Sequence, residues 1–83
     1  MKNIRNCKIH AIIRNGNLYV VTGNGTEILV DKDVERIIQT EDSDDCYKVS
    51  FYKKDGRKAD LYYSKENKKY KIFIESKRQI LWD

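Results

Sequence analysis

Cys46–Ile74, CYKVSFYKKDGRKADLYYSKENKKYKIFI, decides the fold. Alternation puts Tyr47, Val49 and Phe51 on one face of a first strand, Ala59, Leu61 and Tyr63 on one face of a second, and Tyr70, Ile72 and Ile74 on one face of a third. The three sets share one side of a sheet only if the turns have the right parity. A two-residue Asp55-Gly56 turn would set Phe51 opposite Asp60 and Val49 opposite Tyr62, mixing the faces. A three-residue Lys54-Asp55-Gly56 loop, with Gly56 in the left-handed position of a bulge, brings them into line. The next turn must then hold an even number of residues, and Lys65-Glu66-Asn67-Lys68 supplies four. The predicted apolar rows are Tyr47–Tyr63–Tyr70, Val49–Leu61–Ile72 and Phe51–Ala59–Ile74. The opposite face follows without further freedom as Lys48–Tyr62–Lys71, Ser50–Asp60–Phe73 and Tyr52–Lys58–Glu75.

Outward from this meander, Asn15-Gly16 is the strongest short hairpin signal in the chain, a type I′ turn. It pairs Ile13 with Leu18 and Ala11 with Val20 on one face, and Ile12 with Tyr19 and His10 with Val21 on the other. A Gly23-Asn24-Gly25 loop of three residues then pairs Val20 with Ile28 and Leu18 with Val30. The first half therefore reads as a second three-stranded meander with an apolar face running from Ile9 to Val30. The expected fold is mainly β: two antiparallel three-stranded meanders facing each other in a small sandwich or barrel. Between them, Asp31–Thr40 carries two overlapping patterns. Val34, Ile37 and Ile38 fall at helical spacing behind an Asp31 or Asp33 cap, whereas Val34, Arg36 and Ile38 alternate. The β-branched content favours a strand, with a short helix over 33–39 as the alternative. Glu41-Asp42-Ser43-Asp44-Asp45 reads as an exposed loop, and Ile80 and Trp82 are expected to return onto the core face beside Ile74 and Ile72.

The chain of 83 residues is read as one domain over 1–83. At that size it buries roughly 60–65% of its unfolded surface, so one modest core is expected and homo-oligomerisation would enlarge it. Met1–Asn6 offers no apolar run and no later stretch is long enough to span a bilayer, so neither a signal peptide nor membrane association is expected. A cytoplasmic location follows, with Cys7 and Cys46 read as buried free thiols, a disulfide between them as the alternative, and the Asn24-Gly25-Thr26 sequon as a turn. Lys, Asn, Ile and Tyr make up 34 of the 83 residues. Their AT-rich codons point to a low-GC bacterium or one of its viruses.

The net charge of +4 hides an asymmetry. Residues 1–30 carry four basic and one acidic side chain (+3), 31–45 two basic and seven acidic (−5), and 46–83 eleven basic and five acidic (+6). The acidic patch Glu41, Asp42, Asp44 and Asp45 lacks calcium-loop spacing, with no glycine at the turn position and no closing Glu, so no metal site is assigned. It reads as a solvated loop or as a patch that docks on a basic partner. His10, the single histidine, lies on the opposite strand face from Cys7 and is expected to be half-buried and structural. No phosphate loop, nucleophile elbow or paired catalytic carboxylates occur. The chain is therefore read as no enzyme, with no cofactor.

The face formed by Lys48, Tyr52, Lys58, Tyr62, Lys71 and Phe73 is the candidate binding surface. Exposed aromatics among cations suit a protein interface, where rings anchor within a charged rim. They also suit single-stranded nucleic acid, stacking bases while lysines neutralise phosphates. The bland alternative is a solvated face whose lysine stems cover the rings. Asp60 and Glu75 interrupt the positive field and favour the first reading. The expected function is that of a small non-enzymatic binding protein of the inhibitor or adaptor type, such as a phage-encoded accessory protein acting on a protein partner. The alternative is a β-barrel that binds single-stranded nucleic acid through its Tyr/Lys face.

Overall fold

The computed structural model describes residues 8–75. Its elements are β1 (His10–Arg14), β2 (Asn17–Val21), β3 (Glu27–Asp31), β4 (Val34–Asp42), β5 (Cys46–Lys53), β6 (Lys58–Ser64) and β7 (Lys69–Ile74). They form two antiparallel sheets, β1-β2-β3 and β4-β5-β6-β7. The described residues contain no helix and the sheets do not close into a barrel. The expected return of Ile80 and Trp82 lies outside the described residues, as does Cys7.

Turn parity sets the larger sheet as expected. β5, β6 and β7 pair as Tyr47–Tyr63–Tyr70, Val49–Leu61–Ile72 and Phe51–Ala59–Ile74. The Lys53 amide donates to the Arg57 carbonyl at 2.8 Å, closing a three-residue loop in which Gly56 takes φ +92°. That backbone conformation is strained for any residue with a Cβ. At the first hairpin Asn15 and Gly16 both take positive φ, +56° and +78°, as a type I′ turn requires. β1 and β2 pair in the predicted register from Arg14–Asn17 to His10–Val21.

Three readings are corrected. Val20 pairs with Ile28 and Tyr19 with Leu29, but Leu18 lies opposite Asp31, not Val30, because the register shifts there. The extra residue leaves Val30 buried and brings the Asp31 carboxylate within reach of Lys53. Residues 34–42 are the strand that their β-branched content favoured over the short helix, so the second meander is a sheet of four strands and not three. Simple alternation also fails within β4, which carries irregularities between Val34 and Arg36 and between Ile37 and Gln39. Val34 and Ile37 both pack on the core, whereas Ile38 is 41% exposed. The helix-like spacing of Val34 and Ile37 is the signature of a bulge, which lets residues three apart share one side of a strand. Finally, Glu41 and Asp42 are not loop residues. They end β4, opposite Lys48 and Tyr47.

The two sheets share one core. Leu18, Val20 and Val30 from the first meet Val34, Tyr47, Val49, Phe51, Ala59, Leu61 and Tyr63 from the second. The chain passes between the sheets at a corner fixed by polar contacts. Asp33 takes φ +57°, and its carbonyl accepts from the Lys54 amide at 2.8 Å. The Val34 amide donates to the Gly16 carbonyl at 2.9 Å. Lys53 Nζ contacts Asp31 Oδ2 at 2.9 Å and donates to the Lys32 carbonyl at 2.8 Å. A Cβ on Gly16 would approach Lys54 Nζ to 3.0 Å.

Two stability experiments test this account. Lys53→Met keeps the stem's packing but leaves Asp31, only 19% exposed, without its cation. Chemical denaturation is expected to show a loss of about 2 kcal/mol, less than for a fully buried pair because some solvent remains. Burial pushes the Tyr47 phenol above its ordinary value of 10.0. Nearby Asp42 adds to the rise, against hydrogen bonds involving Thr40 and the Ala11 backbone. A raised folded-state value means that the stabilising contribution is complete below the unfolded-state value and is lost as pH rises through the folded one. Alkaline unfolding is therefore expected to be shallower in Tyr47→Phe than in the parent, measured as denaturation midpoint against pH above 10.0.

Candidate functional site

The outward face of the four-stranded sheet is built by the same parity that buries its other side. Lys48 lies opposite Tyr62, and Tyr62 opposite Lys71. Ser50, Asp60 and Phe73 form the next row, and Tyr52 pairs with Lys58. The third row reaches Glu75, whose amide donates to the Lys58 carbonyl at 2.9 Å. All six candidate residues, Lys48, Tyr52, Lys58, Tyr62, Lys71 and Phe73, thus share one face.

At its centre the Tyr62 and Phe73 rings meet edge-to-face with centroids 5.7 Å apart. Phe73 is 58% exposed and Tyr62 36%, an unusual state for neighbouring large rings that could have been buried. Lys48 Nζ sits 5.5 Å from the Tyr62 ring centroid. Beside the rings Ser50, only 8% exposed, donates from Oγ to Asp60 Oδ1 at 2.7 Å. This bond satisfies a nearly buried hydroxyl and fixes one carboxylate oxygen. A depression of about 730 Å³ runs along this side, flanked by Cys46, Asp60, Tyr62, Lys71 and Phe73. Cys46 is a free, half-buried thiol at its edge.

Pairing of β4 with β5 adds Arg36 and Gln39, which the sequence did not single out as site residues, and brings in Glu41 from the acidic patch. Arg36 lies opposite Tyr52 with its guanidinium 5.1 Å from the ring centroid, Gln39 opposite Ser50 and Glu41 opposite Lys48. Their signal lay in the Asp44-Asp45 turn. Ser43 donates its amide to the Cys46 carbonyl at 2.9 Å, and extending that pairing by one and two residues yields Asp42–Tyr47 and Glu41–Lys48.

The acidic patch is thereby divided. Glu41 joins the outward face opposite Lys48, whereas Asp42 pairs with the Lys65 amino group beneath the β4–β5 turn. Asp44 and Asp45 stay exposed in that turn, with the Asp45 carbonyl accepting from the Lys65 amide at 2.9 Å. Among the described residues no cluster of three His, Cys, Asp or Glu side chains could hold a metal ion. His10 is exposed, not half-buried, because it starts the short strand β1, with Nδ1 3.2 Å from the Lys8 carbonyl oxygen. No helix among the described residues is long and apolar enough to cross a membrane.

The smaller sheet also has an outward apolar row, Ile12–Tyr19–Leu29, in which Leu29 is 40% exposed. Arg14 covers part of it, 5.2 Å from the Tyr19 centroid and paired with Glu27 at 3.0 Å. The hydrogen bond from Arg14 holds the Glu27 carboxyl below its ordinary value. The Tyr62–Phe73 face is the larger and the less covered of the two.

Compared with protein-family models, with curated proteins and with solved structures, the chain matches none.

The ring contact has a measurable worth. Phe73→Ala and Tyr62→Ala are each expected to cost at most about 1 kcal/mol, since both rings are exposed. A double-mutant cycle by chemical denaturation is expected to give about 0.5–1 kcal/mol of coupling between them. A loss of several kcal/mol from either single variant would assign the rings to the core.

Proposed function

We propose that this is a small non-enzymatic binding protein that engages a protein partner through the outward face of β4–β7, in the manner of an inhibitor or adaptor. The observation that carries this reading is the exposed Tyr62–Phe73 pair set within charges of both signs. Arg36, Lys48, Lys58, Lys69 and Lys71 supply five positive charges to this face, and Glu41, Asp60 and Glu75 three negative ones. Desolvated rings within a mixed polar rim are what a protein interface uses for affinity and register. A strand of phosphates gains from a field of one sign, and carboxylates on the same face oppose it. The half-buried free thiol of Cys46 fits a reducing, cytoplasmic setting. Small size and an abundance of Lys, Asn, Ile and Tyr, whose codons are AT-rich, fit an accessory protein of a phage that infects a low-GC bacterium.

Affinity capture from a low-GC bacterial lysate, with and without nuclease, tests the proposal. A stoichiometric protein is expected to survive nuclease treatment and to be lost with Tyr62→Ala and Phe73→Ala. Loss on nuclease treatment, together with salt-dependent oligonucleotide binding that needs Tyr62 and Lys71, would replace this reading with recognition of single-stranded nucleic acid.

A further inference from the structure

We infer that the protein partner proposed for the outward face presents an arginine side chain to it, the guanidinium pairing with Asp60 and lying against the Phe73 ring; this rests on that face being a protein interface. Asp60 sits on the inner strand β6, with Ser50 directly across on one side and Phe73 on the other. Tyr62, two residues along the same strand, points the same way. The Asp60 carboxylate is half-buried. Ser50, only 8% exposed, donates to its Oδ1 at 2.7 Å, which leaves Oδ2 to other donors.

No cation among the described residues pairs with Asp60. The other two carboxylates of the face are matched across the ladder, Glu41 by Lys48 and Glu75 by Lys58. Lys48 and Arg36 are held over rings, 5.5 Å from the Tyr62 centroid and 5.1 Å from that of Tyr52. Lys58 and Lys71, diagonal to Asp60, are exposed, and ammonium groups are strongly hydrated. A partner that desolvates Tyr62 and Phe73 covers Asp60 along with them. A carboxylate covered without a cation is strongly unfavourable, so a partner that brings its own cation is favoured over one that does not.

Arginine is the cation that fits, and the smaller sheet shows the arrangement complete. There Arg14 lies 5.2 Å from the Tyr19 centroid and forks onto the Glu27 carboxylate with contacts of 3.0 and 3.2 Å. Phe73 and Asp60 repeat the ring and the carboxylate, and the partner supplies the guanidinium. Being planar and weakly hydrated, that group donates to a carboxylate while stacking on a ring, which an ammonium does less well. Phe73 is 58% exposed, and no described cation lies over its ring.

Amide-detected NMR titration of the full chain with acetyl-Leu-Arg-Leu-amide tests the inference. Saturable shifts are expected at Asp60, Tyr62 and Phe73. Affinity is expected to fall about tenfold when citrulline, planar but neutral, replaces arginine in the peptide. Asp60→Asn keeps an acceptor for Ser50 and is expected to lower affinity by a similar factor. Glu75→Gln removes the same charge from the same face and is expected to change affinity less than about twofold. Equal binding of the arginine and citrulline peptides overturns the inference, as does indifference to Asp60→Asn. So does binding that appears only after Lys77→Ala and Arg78→Ala, because the cation at Asp60 is then this chain's own. A protein captured through Tyr62 and Phe73 but held equally by Asp60→Asn leaves the interface standing and removes the arginine. Failure to capture any protein, while the arginine peptide keeps its preference, supports the arginine site and counts against the broader reading alone.

Discussion

The contact between Lys53 and Asp31 holds the two halves of the molecule in one arrangement. Each side chain comes from a different sheet, and they are only 11% and 19% exposed. A long cation is drawn inside because the Lys32 carbonyl and the Asp31 carboxylate await it there. Around them the backbone stitches the corner shut, with Gly16, Asp33, Val34 and Lys54 exchanging hydrogen bonds across strands distant in sequence. Hydrophobic burial is non-directional and would tolerate several ways of stacking a three-stranded sheet on a four-stranded one. The corner selects one of them, because displacing Lys53 would leave a carboxylate largely out of water and unpaired.

Most of the sheet architecture was legible because strand faces have a strict period of two. In β5, β6 and β7 nine apolar residues, three from each strand, fall in the same parity class once the two loop lengths are given, so three strands constrain one another. Bulges break that logic. Glu35 and Ile38 in β4 and Val30 in β3 sit at register shifts, and each shift moves later residues to the other face without changing composition. No feature of Val34-Glu35-Arg36-Ile37-Ile38 announces two such shifts. The charge on Asp31 similarly conceals that its partner lies twenty-two positions away.

The candidate surface was legible to the same extent as its sheet. Its six residues were placed together by register alone. What lay hidden was the contribution of β4, which brings Arg36 over Tyr52 and Glu41 against Lys48. Those additions alter the character of the face. Arg36 adds one positive charge and Glu41 one negative, so the net charge of the face is unchanged, but part of the acidic segment that seemed a separate patch now belongs to it.

Every ladder among the described residues joins strands adjacent in the chain, through connections of a few residues. Loop closure is therefore inexpensive for each hairpin, and pairing proceeds like successive zippers with low contact order. The docking of one sheet on the other is a different kind of event. During synthesis the first sheet is complete once Asp31 has emerged, yet Leu18, Val20 and Val30 have nothing to pack against until β5 and β6 follow. For that interval the nascent chain carries a finished sheet with one bare apolar side. Its protection lies in speed: the missing cover is itself made of local hairpins that form as soon as they leave the ribosome.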